Sequence, residues 1–321
     1  WNSAWATGDL VMGHAALTDI SGGRHLYSEL LYRAVPALGG FPEFAEPVTD
    51  AGGGEGGDAR GGEDTAPGSE GATGGLLAWS RGPAGTDSLW SVRWSGAGFD
   101  FEAEDAAAGF GFSLRTHPLK PLALHGPNGF SRKGVQTGAA SQYYSFTRLQ
   151  TEGTVRVGGE RFRVRGESWM DKEFGSGALG RHQSGWDWFG LRLADGRELM
   201  LYLLRGQAGD VDYARGTLVG PGGEASLLEP DDFSVQTRGT WRSPGSGAVY
   251  PARWTVTVPG ASPPIRIEVL PEMESQENRG TAAGGIFYWE GAVELRGPDG
   301  APAGQGYVEL TGYGGKRLPA M

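Results

Sequence analysis

Short runs of alternating apolar and polar residues, separated by Gly, Pro, Asp and Asn, cover most of this chain. A period of two places successive side chains on opposite faces of a β-strand, so the pattern predicts strands. Residues 8–19 and 24–35 flank a Ser-Gly-Gly turn and predict a β-hairpin, with a helix over SELLYRAV as the competing interpretation. Residues 185–206 predict a second hairpin, which turns on the Ala-Asp-Gly sequence at 194–196.

The spacing of the predicted strands favours an all-β fold of two antiparallel barrels. Each half of the chain supplies roughly eight strands, and closing such a set into a barrel removes its exposed edges. We place the N-terminal barrel at 1–178 and the C-terminal barrel at 179–321. A β-propeller is the rival architecture, but no repeat of blade length recurs. Residues 46–75 contain few large apolar side chains, so we expect a disordered, acidic, Gly-rich insertion in the first barrel.

Composition and charge narrow the classes of protein. The aromatic share of 11%, which includes 11 Trp, indicates a packed core despite the 58 Gly. The net charge of −10 disfavours a general binder of nucleic acid, because neutralising phosphates needs a basic surface. Seven acidic residues and one Arg fall between Glu46 and Glu70, so the remaining chain is only mildly acidic.

The compartment is less constrained. The sequence contains no Cys, which excludes disulfides and thiolate chemistry. No apolar run reaches the roughly 18 residues of a membrane-spanning helix, so we predict no transmembrane segment and leave contact with a membrane surface open. Because the chain begins at Trp1 rather than Met, we expect the native N-terminus to be missing. Both an exported or periplasmic location and a membrane-associated cytoplasmic one stay open.

The densest group of unusual residues lies in the sequence ESWMDKEFG. In a strand, Trp169 and Asp171 share one face, and Met170 lies on the other. A large indole beside a carboxyl group removes water from it, raises its pKa and lets it hold a proton near neutral pH. The alternative is structural: Asp171 caps a turn or pairs with Arg181 or Lys172.

Aromatic residues in neighbouring strands predict an apolar wall. Trp186 and Trp188 share a strand face that suits a flat or polyene ligand, with ordinary core packing as the alternative. Tyr143 and Ser145 share another face, with Tyr144 opposite. A phenol there is a candidate hydrogen-bond partner for an acid or a bound water, or else part of a cross-strand core pair.

The sequence indicates neither a metal nor a cofactor. None of the five His forms the spaced pair of a zinc site or a set of two His and one carboxylate. No G-x-S-x-G motif is present, and the Gly clusters do not join a strand to a helix as a phosphate-binding loop does.

Eight motifs follow one another in a fixed order along the chain. They are VMGHAALTD, YYSFTRLQTEG, ESWMDKEFGS, GWDWFGLRLADGRELMLY, WRSPGSGAVYP, the Gln-Glu pair at 276–277, YWEGAVEL and GYVELTGY. These motifs resemble those of the carotenoid 1,2-hydratase and AttH-like family, whose members contain tandem lipocalin-like barrels. The resemblance covers nearly the whole chain apart from 46–75. The barrels predicted here are therefore expected to be lipocalin-like.

In the hydratases of this family, an acid protonates a terminal alkene and water captures the carbocation, without a cofactor. The resemblance implies that Asp171 is this acid and that the substrate is a hydrophobic isoprenoid-type molecule. Trp169, Tyr143 and Tyr144 differ from the residue types of the carotenoid hydratases and resemble the AttH branch. The alternatives are a pericyclase, cyclase or isomerase of natural-product biosynthesis, and a non-catalytic lipocalin-like carrier of a hydrophobic ligand.

The predicted site has a catalytic and a substrate-binding part. The catalytic residues are Asp171, Trp169, Tyr143 and Tyr144, and the substrate-binding residues are Trp186, Trp188, Ser145, Arg148, Met170, Tyr202 and Trp289. The expected partner is a small isoprenoid, carotenoid or polyketide-like ligand, and no nucleic acid.

Overall fold

The structure is a computed structural model that consists almost entirely of β-strands. It describes residues 10–35, 38–41, 75–83, 86–136, 138–175, 179–180, 182–280 and 287–314. The all-β class and the antiparallel pairing are confirmed. The predicted insertion at 46–75 lies outside the described residues, apart from Gly75 at the start of a strand. Within the described ranges, the helical elements are two short 3₁₀ turns, Pro127–Gly129 and Pro230–Asp232.

The N-terminal strands form a hairpin and a first sheet. The predicted hairpin of β1 (Leu10–Asp19) and β2 (Arg24–Arg33) is confirmed, so the helical alternative for SELLYRAV is wrong. The first sheet contains β3 (Gly39–Gly40), β4 (Gly75–Arg81), β5 (Leu89–Trp94), β6 (Phe99–Asp105), β7 (Phe110–Pro118), β8 (Ala123–Leu124), β9 (Phe130–Arg132), β10 (Ala140–Val157) and β11 (Glu160–Phe174). Its order is β11-β10-β7-β6-β5-β4-β3, with β8 and β9 also paired to β10.

The remaining strands form a second sheet. They are β12 (Gln183–Leu193), β13 (Glu198–Gly206), β14 (Val211–Val219), β15 (Ala225–Leu228), β16 (Ser234–Arg242), β17 (Val249–Val258), β18 (Ile265–Pro271), β19 (Glu277–Arg279), β20 (Phe287–Arg296) and β21 (Pro302–Leu310). Their order is β15-β14-β13-β12-β21-β20-β18-β17-β16, and β19 pairs with β20.

The hairpin of β12 and β13 is confirmed and fixes much of the site. Gly196 in its turn has a φ of +88°, a left-handed conformation that Gly adopts without strain. The register places Trp186 opposite Leu204 and Trp188 opposite Tyr202. Every residue of β13 is buried, as expected for the nearly continuous apolar run LMLYLL. Both faces of this strand therefore pack against protein.

The expected closed barrels are not observed in the described strands. One sheet ends at β11 and β3, the other at β15 and β16, and no described pairing joins either pair of ends. The prediction assumed that closure removes exposed edges. Two of these four edge strands, β3 and β15, have two and four residues, and such short strands offer little backbone for unwanted pairing.

Contacts divide the chain into two compact units. Unit 1 comprises Trp1–His14, Glu29–His117 and Glu152–Val164, and unit 2 comprises Ala15–Ser28, Pro118–Thr151 and Arg165–Met321. The barrel boundary between residues 178 and 179 stays a prediction. Among the described residues, no helix has the length and apolar character needed to cross a membrane.

Candidate active site

Within unit 2, the two faces of the second sheet carry different side chains. One face packs a large apolar core that includes Phe189, Leu201, Trp254, Val269 and Val308. The opposite face contributes to what we call the aromatic cluster. Its members are Tyr143, Met200, Tyr202, Leu204 and Tyr213, with Trp169, Leu179, Trp186 and Trp188 packed against them. The strand alternation of β12 and β13 thus separates the structural core from the cluster that holds the candidate site.

Asp171 of β11 is held in this cluster by hydrogen bonds. Its Oδ1 accepts from Trp169 Nε1 at 2.8 Å and from Ser145 Oγ. The Tyr143 hydroxyl accepts from Trp188 Nε1 at 2.9 Å and in turn interacts with the Asp171 carboxyl group. The predicted grouping of these five residues is observed, and the predicted pairing of the carboxyl with Trp169 is direct.

Burial makes the Asp171 carboxyl group a weaker acid than an ordinary aspartate. Desolvation raises its pKa to about 6, against the opposing effect of the hydrogen bonds from Ser145, Trp169 and Tyr143. The residue as a whole still has solvent-exposed surface. The carboxyl group is therefore crowded by protein atoms and still reachable by solvent. It is placed to exchange a proton with a bound molecule.

His125, which the sequence analysis left out, joins the site from the loop between β8 and β9. Its ring is buried, with Nε2 at 2.6 Å from Ser145 Oγ and Nδ1 at 2.9 Å from Thr217 Oγ1. The ring also packs on Tyr143, with centroids 4.2 Å apart. Desolvation, followed by repulsion from Lys133, lowers the pKa of His125 to about 3, so its imidazole is neutral.

Lys133 brings a positive charge to the same cluster. Its Nζ lies 2.7 Å from Glu173 Oε1 and 4.2 Å from the ring centroid of Tyr202. Burial lowers the pKa of Lys133, while the carboxylates of Glu173 and Asp171 raise it. The ammonium group therefore balances part of the negative charge around Asp171, and the aromatic ring adds a cation–π contact.

A second pair of carboxyl groups lies on β20 and β21. Glu290 and Glu309 are directly opposite each other in the antiparallel register, and Glu309 is also opposite Trp188. Burial, repulsion from Glu290 and charges at Asp171 and Glu173 raise the pKa of Glu309 to about 8. Burial raises the pKa of Glu290 to about 7. Because like charges so close cannot both ionise readily, this pair holds a proton at neutral pH.

Four predicted site residues lie away from the Asp171 carboxyl group. Tyr144 and Met170 lie on the opposite strand faces from Tyr143 and Asp171, as strand alternation requires. Arg148 donates through Nε to Glu198 Oε1 at 2.7 Å, inside a separate group of buried ion pairs. Trp289 is 2% exposed, belongs to the apolar core and donates through Nε1 to Glu274 O at 2.7 Å. Arg148 and Trp289 therefore bind other protein groups in this structure.

The residues that sequence reasoning missed gave weak local signals. His125 and Lys133 lie in a Gly- and Pro-rich segment, 117–138, in which no strand periodicity indicates the direction of their side chains. Glu290 and Glu309 belong to polar–aromatic strand motifs at 288–291 and 309–313, but only the register shows that they face each other. Among the described residues, no group of three or more His, Cys, Asp or Glu is arranged to hold a metal ion.

The fold and the site together define a class: antiparallel β proteins with a desolvated acid in an aromatic cluster. The sequence model of the AttH-like family matches residues 73–313. That match spans more than half of the chain, so this protein belongs to the AttH-like family. A search of curated proteins finds no match.

Solved structures agree with this assignment. A candidate AttH from Nitrosomonas europaea is 31% identical, with a TM-score of 0.73, over 97% of this chain and 83% of the other. Kievitone hydratase from Nectria haematococca is 15% identical, with a TM-score of 0.63, over 94% of this chain and 79% of the other. At this identity, the similarity to kievitone hydratase shows a shared fold.

Proposed function

We propose that this protein is a cofactor-independent enzyme that protonates an alkene of a hydrophobic, isoprenoid-type substrate, with Asp171 as the proton donor. The observation that carries the proposal is the Asp171 carboxyl group, desolvated among aromatic rings and hydrogen-bonded by Trp169 and Ser145. Membership of the AttH-like family and a fold shared with a named hydratase support a reaction of the hydratase or cyclase type.

The site supplies what alkene protonation needs. The π electrons of the alkene take the proton from Asp171, and the O–H bonding pair stays on the carboxylate, which the hydrogen bonds then stabilise. The cation that forms at the other alkene carbon is stabilised by the faces of Trp169 and Trp188, whose rings meet edge to face at 5.9 Å. Water adds to the cation and returns a proton to Asp171, so the enzyme is regenerated.

A cyclisation is the second candidate, because the same cluster can also fold a flexible substrate. In that reaction a second alkene of the substrate, in place of water, attacks the cation. The aromatic side chains of Trp186, Trp188 and Tyr202 then contribute mainly by holding the cation and the second alkene of the substrate close together. A carrier of a hydrophobic ligand would use this wall without any chemical step.

The test is turnover of an acyclic carotenoid in H₂¹⁸O, followed by mass spectrometry. A hydratase adds one labelled water, a cyclase yields an unlabelled isomer, and a carrier returns the ligand unchanged. We expect Asp171→Asn to abolish either reaction while the ligand still binds, because the amide cannot donate a proton of comparable acidity. Asp87→Asn, which removes an exposed carboxylate in unit 1, is the matched control. Full turnover by Asp171→Asn would exclude the proposed role.

A further inference from the structure

A buried chain of three side chains ends on the Asp171 carboxyl group. Thr217 on β14 contacts His125, His125 contacts Ser145 on β10, and Ser145 contacts Asp171. Thr217 and His125 are each 1% exposed, and Ser145 has no exposed surface. Such complete burial fixes the chain in one arrangement, and the proposed reaction gives it no task of its own.

The direction of each hydrogen bond follows from the protons available. Ser145 has one hydroxyl proton and donates it to Asp171 Oδ1, so its oxygen must accept from His125 Nε2. In a neutral imidazole only one nitrogen carries a proton. Nδ1 therefore accepts, and the Thr217 hydroxyl donates to it. All three donors point toward Asp171.

We propose that His125 is a positioning residue that locks the Ser145 proton onto Asp171 Oδ1 and so leaves Oδ2 to carry the proton that is transferred. The inference rests on the proposed role of Asp171 and adds which oxygen acts and what selects it. Trp169 Nε1 donates to the same Oδ1, so two donors mark that atom as an acceptor. A carboxylate oxygen that already accepts two hydrogen bonds does not readily take up a proton, so the proton binds to the other oxygen. The third partner of the carboxyl group, the Tyr143 hydroxyl, can accept a hydrogen bond from Oδ2 as well as donate one to it, so it is compatible with a proton on that atom.

The chain orients Asp171 and does not supply its proton. Burial and the charge of Lys133 keep His125 uncharged, so its ring holds no proton beyond the one that it donates to Ser145. The other titratable groups around Asp171 are Tyr143, Glu173 and Glu309. Oδ2 is then reprotonated from the bound water during turnover.

The first test needs no substrate. In ¹⁵N NMR of the full chain labelled at His, we expect His125 to be neutral with its proton on Nε2 between pH 5 and 8. A proton on Nδ1, or a charged ring in this range, would overturn the assignment, because Ser145 would then have to donate to His125 or the ring would act as a proton source.

Substitutions test the consequence for Asp171. His125→Phe removes the donor to Ser145, frees its hydroxyl to turn away, and should raise the pKa of Asp171 by about one unit in ¹³C carboxyl titrations. His125→Gln keeps an N–H donor at the reach of Nε2 and should restore the wild-type titration. His117→Gln, the same change at an exposed His, is the control. If His125→Phe titrates like the wild type, the positioning role is excluded.

Two outcomes separate this inference from the proposed function. If His125→Phe does not fold, the ¹⁵N tautomer of His125 in the wild type decides the inference. Ser145→Ala then measures the effect of the donor to Oδ1 and should shift the same titration upward. If Asp171→Asn retains full turnover, the proposed acid is wrong even though the His125 tautomer and the titrations are as expected.

Discussion

Removing the Asp171 carboxyl group should stabilise the folded protein at neutral pH. The folded state raises the pKa of this group from 3.8 to about 6, mainly by desolvation. As the pH rises from about 4 to 6, the unfolded chain releases the proton and the folded chain retains it, so folding stability falls over this window. Above about pH 6 the loss is complete and constant. The Asn side chain of Asp171→Asn does not ionise, so the variant does not lose this folding stability.

The size of the effect follows from the shift in pKa. Two units correspond to an upper limit of about 3 kcal/mol. Because more than a third of the residue is solvent-exposed, screening reduces the expected gain to ~1 kcal/mol. The amide oxygen still accepts from Trp169 and Ser145 in the variant, so we expect little loss of the hydrogen bonds that hold the side chain.

Urea unfolding at pH 4.5 and 7.5, with fixed ionic strength, measures the difference. We expect Asp171→Asn to exceed the wild type at pH 7.5, and the gap to narrow at pH 4.5, with unchanged m values. Asp87→Asn, the same change at an exposed carboxylate, is the control. A variant that is less stable than the wild type at pH 7.5, or a gap that widens on acidification, would refute the reasoning from desolvation.

Two further predictions concern buried charges. Glu290→Gln removes the carboxyl group opposite Glu309, so the pKa of Glu309 should fall from about 8 in ¹³C titrations; an unchanged value would mean that burial alone sets it. Glu198→Gln leaves the Lys120 ammonium, 2.6 Å from Glu198 Oε2 and 7% exposed, without its counter-charge. It also removes one of the two carboxylates that pair with the partly buried Arg148. Urea unfolding should show a destabilisation of about 3–5 kcal/mol, and a loss below ~1 kcal/mol would contradict the importance of this pair.

The hairpins show which structural features can be predicted from local sequence patterns. The Ala-Asp-Gly turn at 194–196 and the alternation around it were enough to predict β12 and β13, because both signals act between neighbouring residues. Alternation also placed Trp169 and Asp171 on one face, which the Nε1–Oδ1 contact bears out. Trp289 shows the limit of such reasoning. We predicted it as a substrate-binding residue, but its side chain packs in the apolar core.

The sequence by itself determined the all-β class, the hairpins, the family and the neighbourhood of Asp171, because these depend on periodicity, turn residues and ordered motifs. Only the tertiary structure decided that His125 and Lys133 join that carboxyl group and that Glu290 faces Glu309. The physical reason is that strand register and loop direction depend on packing between residues distant in the chain. The proton affinity of each carboxyl group then follows from the burial and charges that this packing creates.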